Sequence, residues 1–238
     1  MCGPVHDRQM KPKRKKLAKP KIRFHVVTLF PEALSSYLAA SIVGRAIADG
    51  YAAVKTFNPR DYTSDKGRRV DRKPYGGGPG MVLEAMPVAR AIAAATKGKP
   101  RARVILFSPS GREFTNATAG RYAAAKDLVL VCGRYEGIDA RIKKMFPKAE
   151  EVSVGPYVLS GGELPALAVI DATLRRVPGI LGDDTSVEER RVAGADVYTR
   201  PASIKWKRKN YLVPKVLLSG HHAKIDQFRQ KRPGGSKK

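Results

Sequence analysis

The sequence predicts an α/β fold built on a mostly parallel sheet with helices on both faces. Two observations carry that prediction. Short apolar runs of strand length alternate with segments of helical spacing from Lys21 to Arg176, the pattern of strand–helix–strand crossovers. Turn-rich sequences close three of the strands, after Phe107, after Val131 and after Val154. In open α/β sheets ligands bind outside the carboxyl ends of the strands.

Residues 1–20 contain Lys11-Pro12-Lys13-Arg14-Lys15-Lys16 and almost no core-forming side chains. They read as a disordered basic arm, because little apolar surface is available to offset chain ordering. Such an arm is either an RNA-contacting tail or a solubilising one. Residues 21–179 form the main domain. Ile22 to Leu29 is a buried strand, and Pro31 to Ala48 a helix with Leu34, Leu38, Ile42 and Ala46 on one face and Gly50 as its stop. Ala52 to Phe57 is the second strand, and Asn58 to Gly80 a long loop. Pro87 to Thr96 is a helix, Val104 to Phe107 a strand, Asn116 to Lys126 a helix, and Leu128 to Val131 a strand. Ile138 to Met145 is a short helix, Val152 to Val154 the last strand, and Glu163 to Arg176 a helix capped by Ser160 or Gly162. Residues 180–197 are polar and serve as a linker. Residues 198–238 form a small unit with an apolar segment Tyr211 to Leu218, a helix from His221 to Gln230 and a basic tail.

At 238 residues the chain is long enough for one full core and a small second domain. Its 46 Lys and Arg against 21 Asp and Glu give a net charge of +25, which calls for a polyanionic partner, most simply nucleic acid. An anionic membrane is the competing partner, but no apolar run reaches the length of a membrane span. The cysteines, Cys2 and Cys132, make neither a disulfide framework nor a zinc pattern, which fits a reducing cytoplasm. The basic N-terminus lacks the apolar core of a secretory signal.

The three strand-end turns are Phe107-Ser108-Pro109-Ser110-Gly111, Cys132-Gly133-Arg134-Tyr135-Glu136-Gly137-Ile138-Asp139, and Ser153 through Pro165 with Gly161-Gly162 at its centre. Paired glycines allow a sharp turn or close approach, and a side chain at Gly161 would occupy ligand space. Exposed backbone donors beside apolar walls suit a small polar ligand with an apolar or aromatic part. For each turn alone, a glycine-rich strand-to-helix connection is the bland alternative. None matches a P-loop or a dinucleotide fingerprint. A further glycine run, Tyr75-Gly76-Gly77-Gly78-Pro79-Gly80-Met81, follows a basic loop and suits a flat base beside phosphates, or else is simply solvated.

With these motifs the chain resembles the bacterial tRNA (guanine-N1)-methyltransferases, the TrmD family of SPOUT methyltransferases. The resemblance runs from about Lys21 to Lys231. It rests on Leu29-Phe30-Pro31-Glu32, Pro74 to Met81, Ser108-Pro109, Cys132 to Asp139, Tyr157 to Pro165 and Val177 to Gly182. It continues through Tyr198-Thr199-Arg200-Pro201, Val213-Pro214 and Leu217 to His222. It implies a C-terminal trefoil knot in the main domain, a small helical C-terminal domain, a homodimer, S-adenosylmethionine as cofactor and guanine 37 of tRNA as target. DNA and membrane are not implied as partners, while magnesium is suggested.

The residues implied to hold the cofactor are Leu106, Phe107, Ser108, Pro109, Gly133, Tyr135, Glu136, Ser153, Val154, Gly155, Tyr157, Leu159, Gly161, Gly162 and Pro165. Gly78 would face the target base, with Tyr198 and Arg200 as further RNA contacts and Arg175 as the catalytic arginine. The sequence departs from the family where the catalytic aspartate is expected, since Arg190 aligns there. Glu189 is the nearest replacement base, with Asp184 and Asp196 as others. Gly155-Pro156-Tyr157 replaces Gly-Asp-Tyr, and the linker and C-terminal unit are shortened. These departures leave a second expectation open, an RNA-binding relative that is non-catalytic or of altered specificity.

Overall fold

A computed structural model describes residues 19–181 and 196–230. The chain divides into two compact units, Met1–Ile180 and Leu181–Lys238. The first opens with β1 (Ile22–Val27), followed by helices α1 (Glu32–Leu38) and α2 (Ser41–Ala48) and strand β2 (Ala52–Phe57). A ribbon of β3 (Asp71–Arg72) and β4 (Val82–Leu83) precedes α3 (Ala85–Thr96). Then come β5 (Arg103–Glu113), α4 (Asn116–Ala123), β6 (Asp127–Val131), α5 (Arg141–Met145), β7 (Glu150–Ser153) and α6 (Glu163–Leu174).

The sheet has the order β2-β1-β6-β5-β7, and every pairing in it is parallel. Side chains alternate across a strand, so each strand feeds two cores. Ile22, Phe24 and Val26 of β1 pack with Leu34, Val43 and Ala46 and with Val169, Ile170 and Leu174 of α6. Val27, Val129, Val131, Val104 and Leu106 point to the other side, against Val88, Ala91, Ile92 and Ala95 of α3 and Ile142 of α5. Burial on both faces is what made the strands continuous apolar runs.

Three predicted elements are corrected. The single helix from Pro31 to Ala48 is two helices, interrupted where Ala40 is extended and Ser41 has φ 50°. The apolar spacing survives the break, since Leu34 and Ala46 are buried in one core with Leu38 and Ile42 packed against it. Gly44 makes the bend possible: a Cβ there would overlap the carbonyl of Ala39. The strand predicted to end at Phe107 runs on to Glu113. Phe107 and Arg112 both lie opposite Val152, so residues 108–111 leave the ladder and the chain returns to it. A Cβ on Gly111 would stand 2.6 Å from the Val152 amide nitrogen, so only glycine fits that return. The loop from Asn58 to Gly80 contains a 3₁₀ turn at Pro59–Asp61, capped by the Asn58 side chain, as well as β3.

The second unit holds an antiparallel hairpin, β8 (Ser203–Trp206) and β9 (Lys209–Leu212), then α7 (Lys215–Leu218) and α8 (His222–Gln230). The expected helical unit therefore contains a β-ribbon, and the apolar segment Tyr211 to Leu218 is split between a strand and a helix. Among the described residues no helix is long and apolar enough to cross a membrane.

Candidate functional site

The carboxyl ends of β5, β6 and β7 open onto one pocket. Of the fifteen residues singled out for it, fourteen line it: Phe107, Ser108, Pro109, Gly133, Tyr135, Glu136, Ser153, Val154, Gly155, Tyr157, Leu159, Gly161, Gly162 and Pro165. Leu106 does not. It is 6% exposed and belongs to the core on the α3 face, directly behind the pocket wall of β5.

Local backbone chemistry sets each wall. The Ser108 and Ser110 hydroxyls lie 2.9 Å apart and brace the loop that leaves β5. After β6 the chain turns through Tyr135 at φ 58° and Gly137 at φ 113°, closed by the Gly137 amide donating to the Arg134 carbonyl at 3.0 Å. The Ser153 hydroxyl donates to the Gly155 carbonyl at 2.9 Å, and the Tyr157 hydroxyl donates to the Val154 carbonyl at 3.2 Å. The second and third loops are tied by the Gly162 amide donating to the Gly133 carbonyl at 2.9 Å and by an antiparallel bridge between Arg134 and Gly161. Gly162 begins α6 without a side-chain cap. A Cβ on it would lie 2.5 Å from Cα of Cys132, so glycine is required for the two chains to touch.

A polar cluster that sequence reasoning did not find runs from Arg134 in the pocket lining to the buried Glu163 and Thr28 behind it. Glu163, 3% exposed, accepts a hydrogen bond from the Thr28 hydroxyl at 2.6 Å. The same Thr28 oxygen accepts from the Phe30 amide at 3.0 Å. The Arg134 Nη2 pairs with Glu163 Oε2 at 3.0 Å, and its guanidinium lies 4.5 Å from the centroid of the Phe30 ring. Taking one member from such a pair leaves an uncompensated charge in the interior, so the cluster locks the loops after β1 and β6 to the start of α6. It also explains Gly161. A Cβ there would overlap Arg134 Nε and stand 2.6 Å from Glu163 Oε2, so this glycine, which lines the pocket, also makes room for the ion pair. The only hint in the sequence was a carboxylate directly after two glycines, which does not name its partner.

Cys132 is buried below Gly162, and burial, with the Glu163 carboxylate adding to it, pushes its thiol well up and so disfavours the thiolate. At the opposite end of the sheet Arg23 donates twice to Asp127, at 2.7 and 2.6 Å, and His25 Nε2 lies 2.8 Å from the same carboxylate. These hydrogen bonds hold Asp127 down to about 2, while burial lowers His25. The group is a structural clamp between β1 and β6.

The glycine run reaches the pocket at one end. The Glu136 amide donates to the Met81 carbonyl at 3.0 Å, and a Cβ on Gly80 would lie 2.6 Å from Glu136 Oε1. Gly78, at φ 118°, has nothing within 4 Å of a built Cβ, and Tyr75 is fully exposed. Arg175 caps the C-terminal end of α6, half-buried, and is not part of the pocket lining. Tyr198, Arg200 and Asp196 are exposed residues of the second unit. Glu189, Asp184 and Arg190 lie outside the described residues. Among the described residues there is no group of three or more His, Cys, Asp or Glu side chains placed to hold a metal ion.

A family profile described as tRNA (Guanine-1)-methyltransferase TrmD matches residues 22–236. Among curated proteins, the tRNA (guanine-N(1)-)-methyltransferase of Methylococcus capsulatus is 47% identical over 220 residues, 90% of this chain and 85% of the relative. The enzyme of that name from Photobacterium profundum is 44% identical, covering 88% of this chain and 84% of the relative. Its counterpart from Geobacter metallireducens is 41% identical, with 89% and 86% covered.

Proposed function

The chain belongs to the TrmD family of tRNA (guanine-1)-methyltransferases, and we propose that it methylates N1 of guanine 37 in tRNA with S-adenosylmethionine as the donor. One observation carries the reading: three strand-end loops converge on a single pocket. Its lining joins apolar and aromatic side chains, Phe107, Val154, Tyr157, Leu159 and Pro165, to hydroxyls, backbone groups and the Glu136 carboxylate. Such a wall fits an adenosine with a charged amino-acid tail. Phe107, Ser108, Pro109, Gly133, Tyr135, Glu136, Ser153, Val154, Gly155, Tyr157, Leu159, Gly161, Gly162 and Pro165 would hold it, with Leu106 supporting from behind. When bound, that cofactor supplies a methyl group activated by its sulfonium.

The remaining chemistry belongs to the chain. Guanine N1 carries a proton and has no nucleophilic lone pair until that proton leaves, and its loss builds negative charge on O6. A competent site needs a carboxylate base at N1 and a cation at O6. We assign these roles to Glu189 and Arg175. The Gly76–Gly80 run, anchored beside Glu136, presents open backbone to the target base at Gly78, and Tyr198 and Arg200 contact the RNA. The family reading brings with it the trefoil knot, the homodimer and a cytoplasmic setting where tRNA is found. The non-catalytic alternative gains no support from relatives that are themselves named as enzymes.

Methyl transfer from labelled cofactor to unmodified tRNA, followed by mapping of the modified nucleoside, tests the reading. The expected product is 1-methylguanosine at position 37. Label in a different nucleoside, or none in tRNA, overturns it.

A further inference from the structure

The turn that follows α6 is buried at regular intervals. Leu174, Val177 and Ile180, spaced three apart, are 0%, 4% and 8% exposed. The Val177 and Ile180 amides donate back to the Leu174 and Val177 carbonyls at 3.1 and 3.3 Å. Arg175 and Arg176 stand between the first two anchors, and Pro178-Gly179 between the last two. The second compact unit begins at Leu181, and the segment bearing Glu189 follows.

Lys21, the residue before β1, closes over this turn from the other end of the chain. Its Nζ donates to the Pro178 carbonyl at 2.8 Å and lies 5.2 Å from the centroid of the Tyr51 ring. The backbone places Tyr51 for this contact, since its carbonyl accepts from the Lys21 and Ile22 amides at 2.9 and 3.3 Å. The same ring packs on Gly179, where φ is 84° and a Cβ would stand 3.1 Å from Tyr51 Cε1. Glycine suits both the left-handed backbone and the ring. A carbonyl just past a helix end lacks a partner and sits at the negative pole of the helix, so a cation there meets both needs.

The cofactor pocket is remote from this tether. It lies at the carboxyl ends of the parallel strands, whereas Lys21 precedes β1 at their amino ends. Helix α6 spans the distance, starting after the pocket residue Gly162 and ending at Arg175. The tether therefore bears on Arg175 and the departing linker without touching the pocket of its own chain.

We propose that Lys21 is a positioning residue for methyl transfer: its ammonium, bridging Tyr51 and Pro178, fixes the turn that presents Arg175 and starts the linker of Glu189. The proposal rests on the roles given to Arg175 and Glu189 above. It assigns the root of the basic arm a task separate from attracting RNA.

Lys21→Met keeps the apolar stem and removes the ammonium, while Lys21→Arg keeps a cation that reaches the same carbonyl and ring. Single-turnover methyl transfer at saturating tRNA should slow roughly 3- to 30-fold in Lys21→Met, the range allowed by an exposed charged hydrogen bond and cation–ring contact. Lys21→Arg should recover most of that rate. Calorimetric cofactor affinity should stay at the wild-type value in both variants. Hydrogen exchange should quicken at the Val177 and Ile180 amides of Lys21→Met while the β1 amides hold. A wild-type rate in Lys21→Met overturns the proposal. So does a loss confined to tRNA affinity, which would make Lys21 an RNA contact, or a slowed rate with unchanged exchange at the turn. A wild-type chain that methylates no tRNA removes the reaction itself and the proposal with it, whereas the other outcomes all arise with an active wild type.

Discussion

At Gly161 the lining of the pocket and its supporting framework meet in one residue. The space its missing Cβ leaves is filled by the Arg134–Glu163 pair, so substitution acts on the pocket's framework first. Gly161→Ala is expected to cost about 1–3 kcal/mol by overpacking. It should weaken cofactor binding as well, because Arg134 and the Gly161 bridge hold two pocket loops together. Thermal unfolding and calorimetric titration check this, and a variant that unfolds and binds like wild type would mean the pair yields freely. The proton acceptor is a separate question at the same scale. Glu189→Gln keeps shape and removes basicity, so turnover should fall roughly 10²–10⁴-fold with cofactor affinity unchanged. Single-turnover kinetics read the two apart, and wild-type turnover would move the base to Asp184 or Asp196.

Strands β1 and β6 are joined by more than their ladder. Asp127, 6% exposed, takes hydrogen bonds from Arg23 and His25, which hold its carboxyl at about 2 against an ordinary value of 3.8. A depressed carboxyl contributes stability that is fully present above about pH 4 and is lost as pH falls through about 2. His25, 5% exposed with Nδ1 lacking a hydrogen bond, is lowered by burial, with Lys99 and Arg23 adding and Asp127 opposing. Its contribution has the same sign and begins to fall below about pH 6.5, where the unfolded imidazole charges. The melting temperature should therefore drop in two stages on acidification. Asp127→Asn should lose on the order of 2 kcal/mol at neutral pH and flatten the stage below pH 4. An identical pH profile in that variant would show that the clamp is not what acid breaks.

For the whole molecule, charge dominates the expected behaviour. A net +25 makes RNA affinity fall with salt through counterion release. If the basic arm touches phosphate, deleting residues 1–20 should flatten the slope of log K against log salt by about 0.7–0.9 for each phosphate the arm had neutralised. Filter binding across a salt series measures it, and an unchanged slope returns the arm to a solubilising role. Light scattering should give a dimer at micromolar concentration, as closed two-fold pairing is the commonest assembly. An active monomer would contradict this.

Much of the main domain was written in the sequence, because a parallel sheet buried on both faces leaves continuous apolar strands that need no tertiary information to read. Leu128–Val131 was placed to within one residue of its strand for that reason. The three loops were legible because turns at strand ends demand glycine, proline and serine wherever the chain reverses. The ribbon Ser203–Leu212 was not, since Lys207-Arg208 is no standard hairpin turn, with Lys207 at φ 54°. Nor was the break at Ala40, which depends on the carbonyl of Ala39 meeting Gly44. Of the Arg134–Glu163–Thr28 cluster the sequence showed only a carboxylate after two glycines, without its partners. Local pattern records which face of an element is apolar, but which charges meet at a pocket wall is decided only when distant segments pack.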